Sequence, residues 1–311
     1  MHMNRSNRDA SSAVAVGSRD LPAITIGMTT YQAAPFLKAS LRSLLAQTER
    51  NFRLVISDDG SSDRTAEICQ SFAAVDSRIE FIRQGQNLGP RRNFEFVFSR
   101  CETDYFMWAS HDDLWSPNFI ESCLSSLKAE PEAGFAITSW IVESRTFPLL
   151  RRLFLPSMAF VEDPDPLTRV LAFTALPFTS FKDNLTYGVW RRWALETVID
   201  DLRDKTRYYS IGGVANEYAL LKFNGCLVAG ASLRKRYRFV PPGSALEPLF
   251  TLLSFLKRGG GPPDLYPRYT QQDHRNDLRT VFWIAGLEES LIERILGGDS
   301  PGLHLNEDGW G

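Results

Sequence analysis

The chain has 311 residues, of which 43% are hydrophobic, and a formal net charge of −2. This length allows two domains or one large α/β domain with an extension, and the near-neutral charge argues against a nucleic-acid-binding protein, which needs a basic face. The four cysteines have neither the spacing of a zinc site nor that of a disulfide framework, so we expect a reducing, cytoplasmic setting.

Strand and helix patterns alternate through the first half of the chain. β-branched and aromatic runs predict strands over residues 23–29, 53–57, 79–83, 104–110 and 134–138. Amphipathic segments between them predict helices, one of which should begin at Ser116-Pro117. Such alternation implies an α/β fold with a mostly parallel central sheet and helices on both faces. The carboxyl ends of parallel strands share one edge, where ligands bind in sheets of this kind.

Acidic residues follow two of the predicted strands at the point where each strand ends. "SDDG" (57–60) follows the second strand and "SHDD" (110–113) follows the fourth, which brings four carboxylates to one edge. Two carboxylates about 6 Å apart repel by about 3 kcal/mol at an effective dielectric constant near 20, so the group would favour a bound cation. Mg²⁺ or Mn²⁺ shared with substrate phosphates suits such oxygen ligands. Taken singly, either motif could be a solvated turn.

Four segments, in this order, resemble family 2 glycosyltransferases, which are inverting enzymes of the GT-A fold, a Rossmann-like fold of nucleotide-diphospho-sugar transferases. The segments are "ITIGMTTYQAAPFLKASLRSLLAQT", "FRLVISDDGSSDRTAEIC", "IRQGQNLGPRRNF" and "DYFMWASHDDLWSPNFIE". The first loop, "MTTYQAAP", lacks the G-x-G-x-x-G of dinucleotide-binding proteins, which disfavours that alternative.

The resemblance implies a pocket for the base of a UDP-sugar. Thr29 and Tyr31 would line this pocket, with the Tyr31 ring packing near the base. Asp59 would accept a hydrogen bond from the uracil N–H. Gly89 and Arg91 would close over the base and reach toward the phosphates.

The resemblance also implies a metal ligand and a catalytic base. Asp112 would bind the ribose hydroxyls, and Asp113 would coordinate the Mn²⁺ or Mg²⁺ that bridges the diphosphate. The family's base begins a helix of the type acid-x-x-Leu-Leu, and "NEYALLKF" puts Glu217 at that position. Glu217 could instead be an ordinary first-turn glutamate favoured by the helix dipole. The acceptor pocket is predicted to include Lys182, Asp183 and Asn184.

Four regions are predicted along the chain. They are a flexible tail (1–20), a nucleotide-sugar-binding half (21–140), an acceptor-binding half of the same GT-A domain (141–240) and a C-terminal helical extension (241–311). The extension should contain helices over 245–258 and 274–298, and the first of these could lie on a membrane surface, pack on the main domain or form a dimer contact. The basic segment "LRKRYRF" (233–239) predicts either a solvated face or a loop that closes on the diphosphate or meets anionic lipid.

The predicted function is metal-dependent transfer of a sugar, of the hexosyltransferase type, from a UDP-sugar to a hydroxyl of a glycan or lipid-linked acceptor. The usual setting of the family is cell-surface polysaccharide or glycolipid synthesis, and the protein would act in the cytoplasm or at the inner face of the membrane. A sugar nucleotidyltransferase is an alternative, although its Gly- and Arg-rich first loop is absent. A non-catalytic sugar-nucleotide-binding protein of the same fold is another.

Overall fold

The computed structural model describes residues 22–144, 158–175, 182–203, 205, 214–237 and 271–296. The predicted tail and the predicted helix at 245–258 lie outside these residues. None of the described helices is long and apolar enough to span a bilayer.

Strands and helices alternate through the first half of the described chain, as predicted. The strands are β1 (Ile24–Thr30), β2 (Phe52–Asp58), β3 (Ile79–Arg83), β4 (Tyr105–Ser110), β5 (Leu114–Trp115), β6 (Phe135–Ser144), β7 (Val189–Arg191) and β8 (Gly225–Tyr237). The α-helices are α1 (Ala34–Leu45), α2 (Thr65–Ala73), α3 (Pro90–Ser99), α4 (Phe119–Ala129), α5 (Pro166–Ala175), α6 (Arg192–Leu202), α7 (Val214–Lys222), α8 (Gln271–Ile284) and α9 (Glu289–Leu296). Short 3-10 helices lie at Ala159–Glu162 and Lys182–Tyr187.

The described strands form one sheet in the order β3-β2-β1-β4-β7-β6-β8-β5. Strands β1 to β4 are parallel, whereas β7 is antiparallel to both of its neighbours and β5 is antiparallel to β8. Thr29 of β1 is level with Ser57 of β2 on one side and with Ser110 of β4 on the other. The turns that follow these three strands therefore start at the same height on one edge of a mostly parallel sheet.

Helix α1 shows how the sequence pattern produces the layers. Leu37, Leu41 and Leu44 recur at helical spacing and are fully buried. Burying each leucine side chain contributes roughly 1.5–3 kcal/mol. Pro35 occupies the first turn of the helix, where its missing N–H costs no intrahelical hydrogen bond. The helix therefore begins directly after the turn that follows β1.

Gly27 allows α3 and β4 to approach β1 closely. A Cβ atom at this position would lie 2.6 Å from Cζ of Phe106 and 2.9 Å from Cγ2 of Val97. The Phe106 ring packs edge-on against both Phe98 and Trp108, with centroids 5.1 and 4.9 Å apart. The aromatic residues of the fourth predicted strand thus pack in the core next to the acidic edge, which is the sheet edge that carries Asp58, Asp59, Asp112 and Asp113.

Two helix boundaries differ from the prediction. The helix predicted to begin at Ser116-Pro117 begins at Phe119, because Ser116 pairs with Ser232 at the end of β5. The N–H of Ser232 donates to Oγ of Ser116 (3.0 Å), and the N–H of Ser116 donates to the carbonyl of Ser232 (2.9 Å). The single helix predicted at 274–298 is two helices, α8 and α9, separated by a turn in which Gly286 has a φ of 86°.

Candidate functional site

The turn between β1 and α1 exposes an aromatic ring beside a strained residue. Tyr31 is 51% exposed, and Gln32 has a φ of 50°. This left-handed conformation costs an L-residue roughly 1–2 kcal/mol. The side-chain amide of Gln32 donates to Oγ of Ser62 (2.8 Å) and accepts from the N–H of Asp63 (3.2 Å). Hydrogen bonds to the next turn therefore offset part of the strain.

The turn between β2 and α2 is built on a fully buried carboxylate, Asp58. Oδ1 of Asp58 accepts from the hydroxyl of Thr30 (3.3 Å), and Oδ2 accepts from the N–H of Ser61 (3.2 Å). The guanidinium of Arg83 lies 3.6 Å from Oδ2. Since these groups surround it, Asp58 holds the turn in place below its neighbour Asp59.

Asp59 joins this turn to the loop before α3. It is 3% exposed; Oδ1 accepts from the N–H of Leu88 (2.7 Å) and Oδ2 from the N–H of Gly89 (3.1 Å). Gly89 has a φ of 80°, which explains the glycine at the start of α3. A carboxylate can accept about four hydrogen bonds, so Asp59 can still accept one from an N–H of a ligand. Asp59 and Gly89, both predicted at the base pocket, are therefore in direct contact.

Helix α3 is fixed to the same edge by Asn93, a buried residue that is not among the predicted site residues. Its amide donates to the carbonyl of Ser57 (3.2 Å) and accepts from the hydroxyl of Ser57. A buried asparagine on a helix gives no local sequence signal that separates it from an exposed one. The predicted phosphate ligand Arg91 is exposed in the first turn of α3, where its guanidinium donates to Glu95 (3.1 Å).

The acidic turn after β4 is held between two strands. Asp112 is half-buried and accepts a hydrogen bond from the hydroxyl of Ser110. Asp113 is 2% exposed, and the next residue, Leu114, begins β5 and pairs with Arg234 of β8. Residues 233–237 of the basic segment belong to a strand beside this turn, which contradicts the predicted loop, and Arg234 is exposed. Because β4 and β5 enclose it, the position of Asp113 is set by the sheet.

The described residues hold no group of three or more histidine, cysteine, aspartate or glutamate side chains arranged to bind a metal ion. Mg²⁺ is commonly held by one or two carboxylates together with substrate phosphates. A single buried carboxylate at the mouth of the sheet fits this coordination. Asp113 could therefore hold a divalent cation that is shared with a bound diphosphate.

Glu217 lies in the first turn of α7, as predicted, and is 2% exposed. The preceding residue, Asn216, is buried and accepts from the hydroxyl of Thr186 (3.3 Å). The following residue, Tyr218, is buried and donates its hydroxyl to Asp201 of α6. Burial and the nearby Asp201 carboxylate raise the pKa of Tyr218 above its usual value. Residues on both sides of Glu217 thus anchor it to other elements.

The far end of α7 is held by Arg169 of α5, a buried residue that the sequence does not mark as important. Its Nε donates to the carbonyl of Leu220 (2.8 Å), and Nη1 donates to the carbonyl of Asp163. The last carbonyls of a helix lack intrahelical partners and favour a nearby cation. Burial lowers the pKa of Arg169, and the carboxylates of Asp163 and Asp165 oppose this effect. Arg169 therefore caps the helix that carries Glu217.

The predicted acceptor residues Lys182, Asp183 and Asn184 begin the 3-10 helix at Lys182–Tyr187. This helix packs between β4 and α7, so its backbone lies between the acidic edge and the helix of Glu217. The three side chains lie outside the described part of the structure, and their roles stay predictions.

A model of glycosyl transferase family 2 matches residues 25–187, which is more than half of the chain. The chain belongs to glycosyl transferase family 2. The predicted family is therefore confirmed. The match covers the turns after β1, β2 and β4 and the loop before α3, but it ends before Glu217.

Similarity to individual members of the family is limited to a part of each protein. An uncharacterized glycosyltransferase of Rickettsia typhi is 32% identical over 106 residues, which cover 34% of this chain and 32% of that protein. Glycosyltransferase GlyG of Streptococcus pneumoniae is 26% identical over 117 residues, which cover 38% of each protein. The chain thus matches about a third of the length of these relatives.

Solved structures extend the similarity to most of the chain. S. aureus TarS 1-349 in complex with UDP-GlcNAc has a TM-score of 0.58 and 14% identity, over 88% of this chain and 70% of that chain. TarS 1-349 in complex with UDP has a TM-score of 0.56 and 13% identity, over 88% and 69%. Likeness at this identity concerns the fold, and it confirms the predicted GT-A fold.

Proposed function

We propose that this family 2 glycosyltransferase moves a sugar from a UDP-sugar to an acceptor hydroxyl with inversion at the anomeric carbon. The observation that carries this proposal is the convergence of two nearly fully buried carboxylates, Asp59 and Asp113, at one sheet edge beside the exposed ring of Tyr31. Carboxylates at a strand end suit a ligand that combines an N–H donor, hydroxyls and a cation-bound diphosphate. The TarS structures with UDP and UDP-GlcNAc support the choice of nucleotide.

The first part of the proposal concerns the base. Tyr31 supplies an exposed, flat aromatic surface, and Thr29, two residues before it, is half-buried. An ionised carboxylate only accepts hydrogen bonds, so Asp59 favours a base with an N–H at that edge, as uracil has. Gly89 lies against Asp59 and closes the pocket from the side of α3.

The second part concerns the ribose and the diphosphate. Asp112 accepts hydrogen bonds from the ribose hydroxyls, and Arg91 reaches from the first turn of α3 toward the phosphates. Asp113 would hold Mn²⁺ or Mg²⁺, which would supply positive charge to offset the negative charge of the departing diphosphate.

The third part concerns the acceptor. Glu217 takes the proton of the acceptor hydroxyl as its oxygen attacks the anomeric carbon. A general base typically contributes about 10² to 10⁴ in rate, and fixed orientation in the cleft contributes further. Lys182, Asp183 and Asn184 line the acceptor pocket. We propose that the acceptor is a glycan or a lipid-linked sugar of cell-surface polysaccharide or glycolipid synthesis. The protein would meet it in the cytoplasm or at the inner face of the membrane, and residues 245–258 would then be the segment that contacts the membrane surface.

Calorimetry with UDP, in the presence and absence of Mn²⁺, tests the donor site. We expect UDP to bind more tightly with Mn²⁺, and we expect Asp113→Ala to remove this metal-dependent gain. Asp104→Ala is a matched control, because Asp104 is exposed just before β4, at the opposite end of that strand from the acidic turn. Equal UDP affinity of the parent protein with and without Mn²⁺ would refute the metal role, and absence of UDP binding would refute the donor site.

Donor turnover tests the catalytic base. With a panel of UDP-sugars, we expect Glu217→Gln to bind UDP like the parent protein but to release it from the donor about 10² to 10⁴ times more slowly. Glu196→Gln changes an exposed glutamate of α6 in the same way and should leave the rate unchanged. Near-normal turnover in Glu217→Gln would leave Glu217 an ordinary first-turn residue. A parent protein that binds UDP but turns over no donor would match a non-catalytic binding protein.

A further inference from the structure

The turn between β1 and α1 contains a backbone conformation that its residue does not favour. Gln32 is the one non-glycine residue with positive φ in the described part of the chain. Asparagine and aspartate adopt this conformation far more readily than glutamine does. Strained residues persist where the surrounding structure holds them, and they concentrate at functional sites. The strained backbone of Gln32 therefore suggests that this turn does more than reverse the direction of the chain.

Hydrogen bonds join Gln32 to the turn between β2 and α2 at three points. The side-chain Nε2 donates to Oγ of Ser62 (2.8 Å), and Oε1 accepts from the N–H of Asp63 (3.2 Å). The backbone N–H of Gln32 donates to Oγ of Ser61 (3.0 Å). A glutamine amide can both donate and accept hydrogen bonds, and the amide of Gln32 does both with residues of the turn between β2 and α2. A shorter side chain could not make both contacts.

The two joined turns carry the two side chains that are proposed to contact the base. Tyr31 directly precedes Gln32, and Asp59 lies two residues before Ser61. Tyr31 is exposed although it is a large aromatic residue, whereas Asp59 is buried and fixed to Leu88 and Gly89. The position of the ring relative to the carboxylate thus depends on how firmly the first turn is held to the second.

We propose that Gln32 is a positioning residue of the nucleotide site. Its side-chain amide holds the Tyr31 turn against the Asp59 turn, so that the slot for the base exists before the nucleotide arrives. Preorganisation of this kind improves affinity because less order is imposed at binding. This inference rests on the proposed donor site, and it adds a residue that contacts neither the base nor the diphosphate.

The experiment compares a nucleotide with a probe that has no base. Calorimetry with Mn²⁺ measures the Kd of UDP and of inorganic pyrophosphate for the parent protein, Tyr31→Ala, Gln32→Ala and Gln32→Gly. For both Gln32 variants we expect the Kd of UDP to rise about tenfold, which is about 1.4 kcal/mol, and the Kd of pyrophosphate to stay within about twofold. Gln32→Gly keeps the test sound if alanine misfolds, because glycine adopts positive φ without strain. Gln70→Ala, an exposed glutamine on α2, is the matched control and should behave like the parent protein.

Each outcome bears on one of the two proposals in a recognisable way. A parent protein that binds no UDP refutes the donor site, and with it the role of Gln32, before any variant is compared. A parent protein that binds UDP, with both Gln32 variants equal to it, overturns the positioning role alone. Equal weakening of UDP and pyrophosphate also overturns it, since a general disturbance of the fold would do the same. Unchanged UDP affinity in Tyr31→Ala would remove the ring contact and therefore the reason for holding it.

Discussion

Replacing Asp59 by asparagine tests whether one buried carboxylate sets both the order of the loop before α3 and the affinity for the donor. The two carboxylate oxygens accept from the N–H groups of Leu88 (2.7 Å) and Gly89 (3.1 Å). Asparagine keeps one carbonyl oxygen, and its NH₂ group meets the second N–H as a donor against a donor. One hydrogen bond to a charged group is lost and the other becomes neutral, so the local interaction weakens by about 2–4 kcal/mol.

Two measurements separate the consequences of this change. At about 2–4 °C per kcal/mol, this loss should lower the melting temperature by about 4–16 °C, and the loop before α3 should be less firmly held than in the parent protein. UDP must then order the loop when it binds, and it also loses the carboxylate acceptor. We therefore expect its Kd to rise at least about tenfold in calorimetry, since about 1.4 kcal/mol of the lost interaction is enough for that change.

The control for Asp59→Asn is Glu67→Gln, because the Glu67 side chain is 69% exposed on α2 and pairs with Arg64 at the surface. Such a surface change should alter stability by less than about 0.5 kcal/mol. A lower melting temperature with unchanged UDP affinity would make Asp59 a purely structural residue. No change in either measurement would refute the energetic reasoning from the two hydrogen bonds.

Three further predictions concern the scaffold. Burial alone would raise the pKa of Asp63, but hydrogen bonds from Thr65 and Ala34 outweigh burial and hold the pKa below its usual value. The stability that this group contributes is therefore present above about pH 4 and is lost as the pH falls through the lower pKa of the folded state. In urea unfolding, Asp63→Asn should therefore lose less stability between pH 5 and pH 3 than the parent protein does. Gly27→Ala should lower the free energy of unfolding by about 1–3 kcal/mol through overpacking, and unchanged denaturation would contradict the packing described at β1. Arg169→Met should lower the free energy of unfolding by about 2–4 kcal/mol. It should also lower donor turnover and leave the Kd of UDP unchanged, because the substitution loosens α7 and not the base pocket. Weaker UDP binding would show that Arg169 does not act through α7 alone.

The sequence predicts the first half of the fold well because the signals there are local. β-branched runs and leucine stripes have periods that depend only on neighbouring residues, and the strand predicted at 79–83 agrees with β3. Where a buried run ends in carboxylates, the sheet edge follows from the parallel arrangement of the strands. The position of Asp59 at this edge was therefore predictable, but its hydrogen bonds to Leu88 and Gly89 were not.

The sequence by itself determined the alternation of strands and helices, the family and the acidic groups at the ends of β2 and β4. Only the tertiary structure decided that Ser116 pairs with β8, that Gln32 reaches Ser62 30 residues away and that Arg169 caps a helix whose carbonyl lies 51 residues further on. A hydrogen bond depends on distance and direction in space. The propensities that form helices and strands act over a few residues, so they cannot predict hydrogen-bond partners that are distant in the sequence.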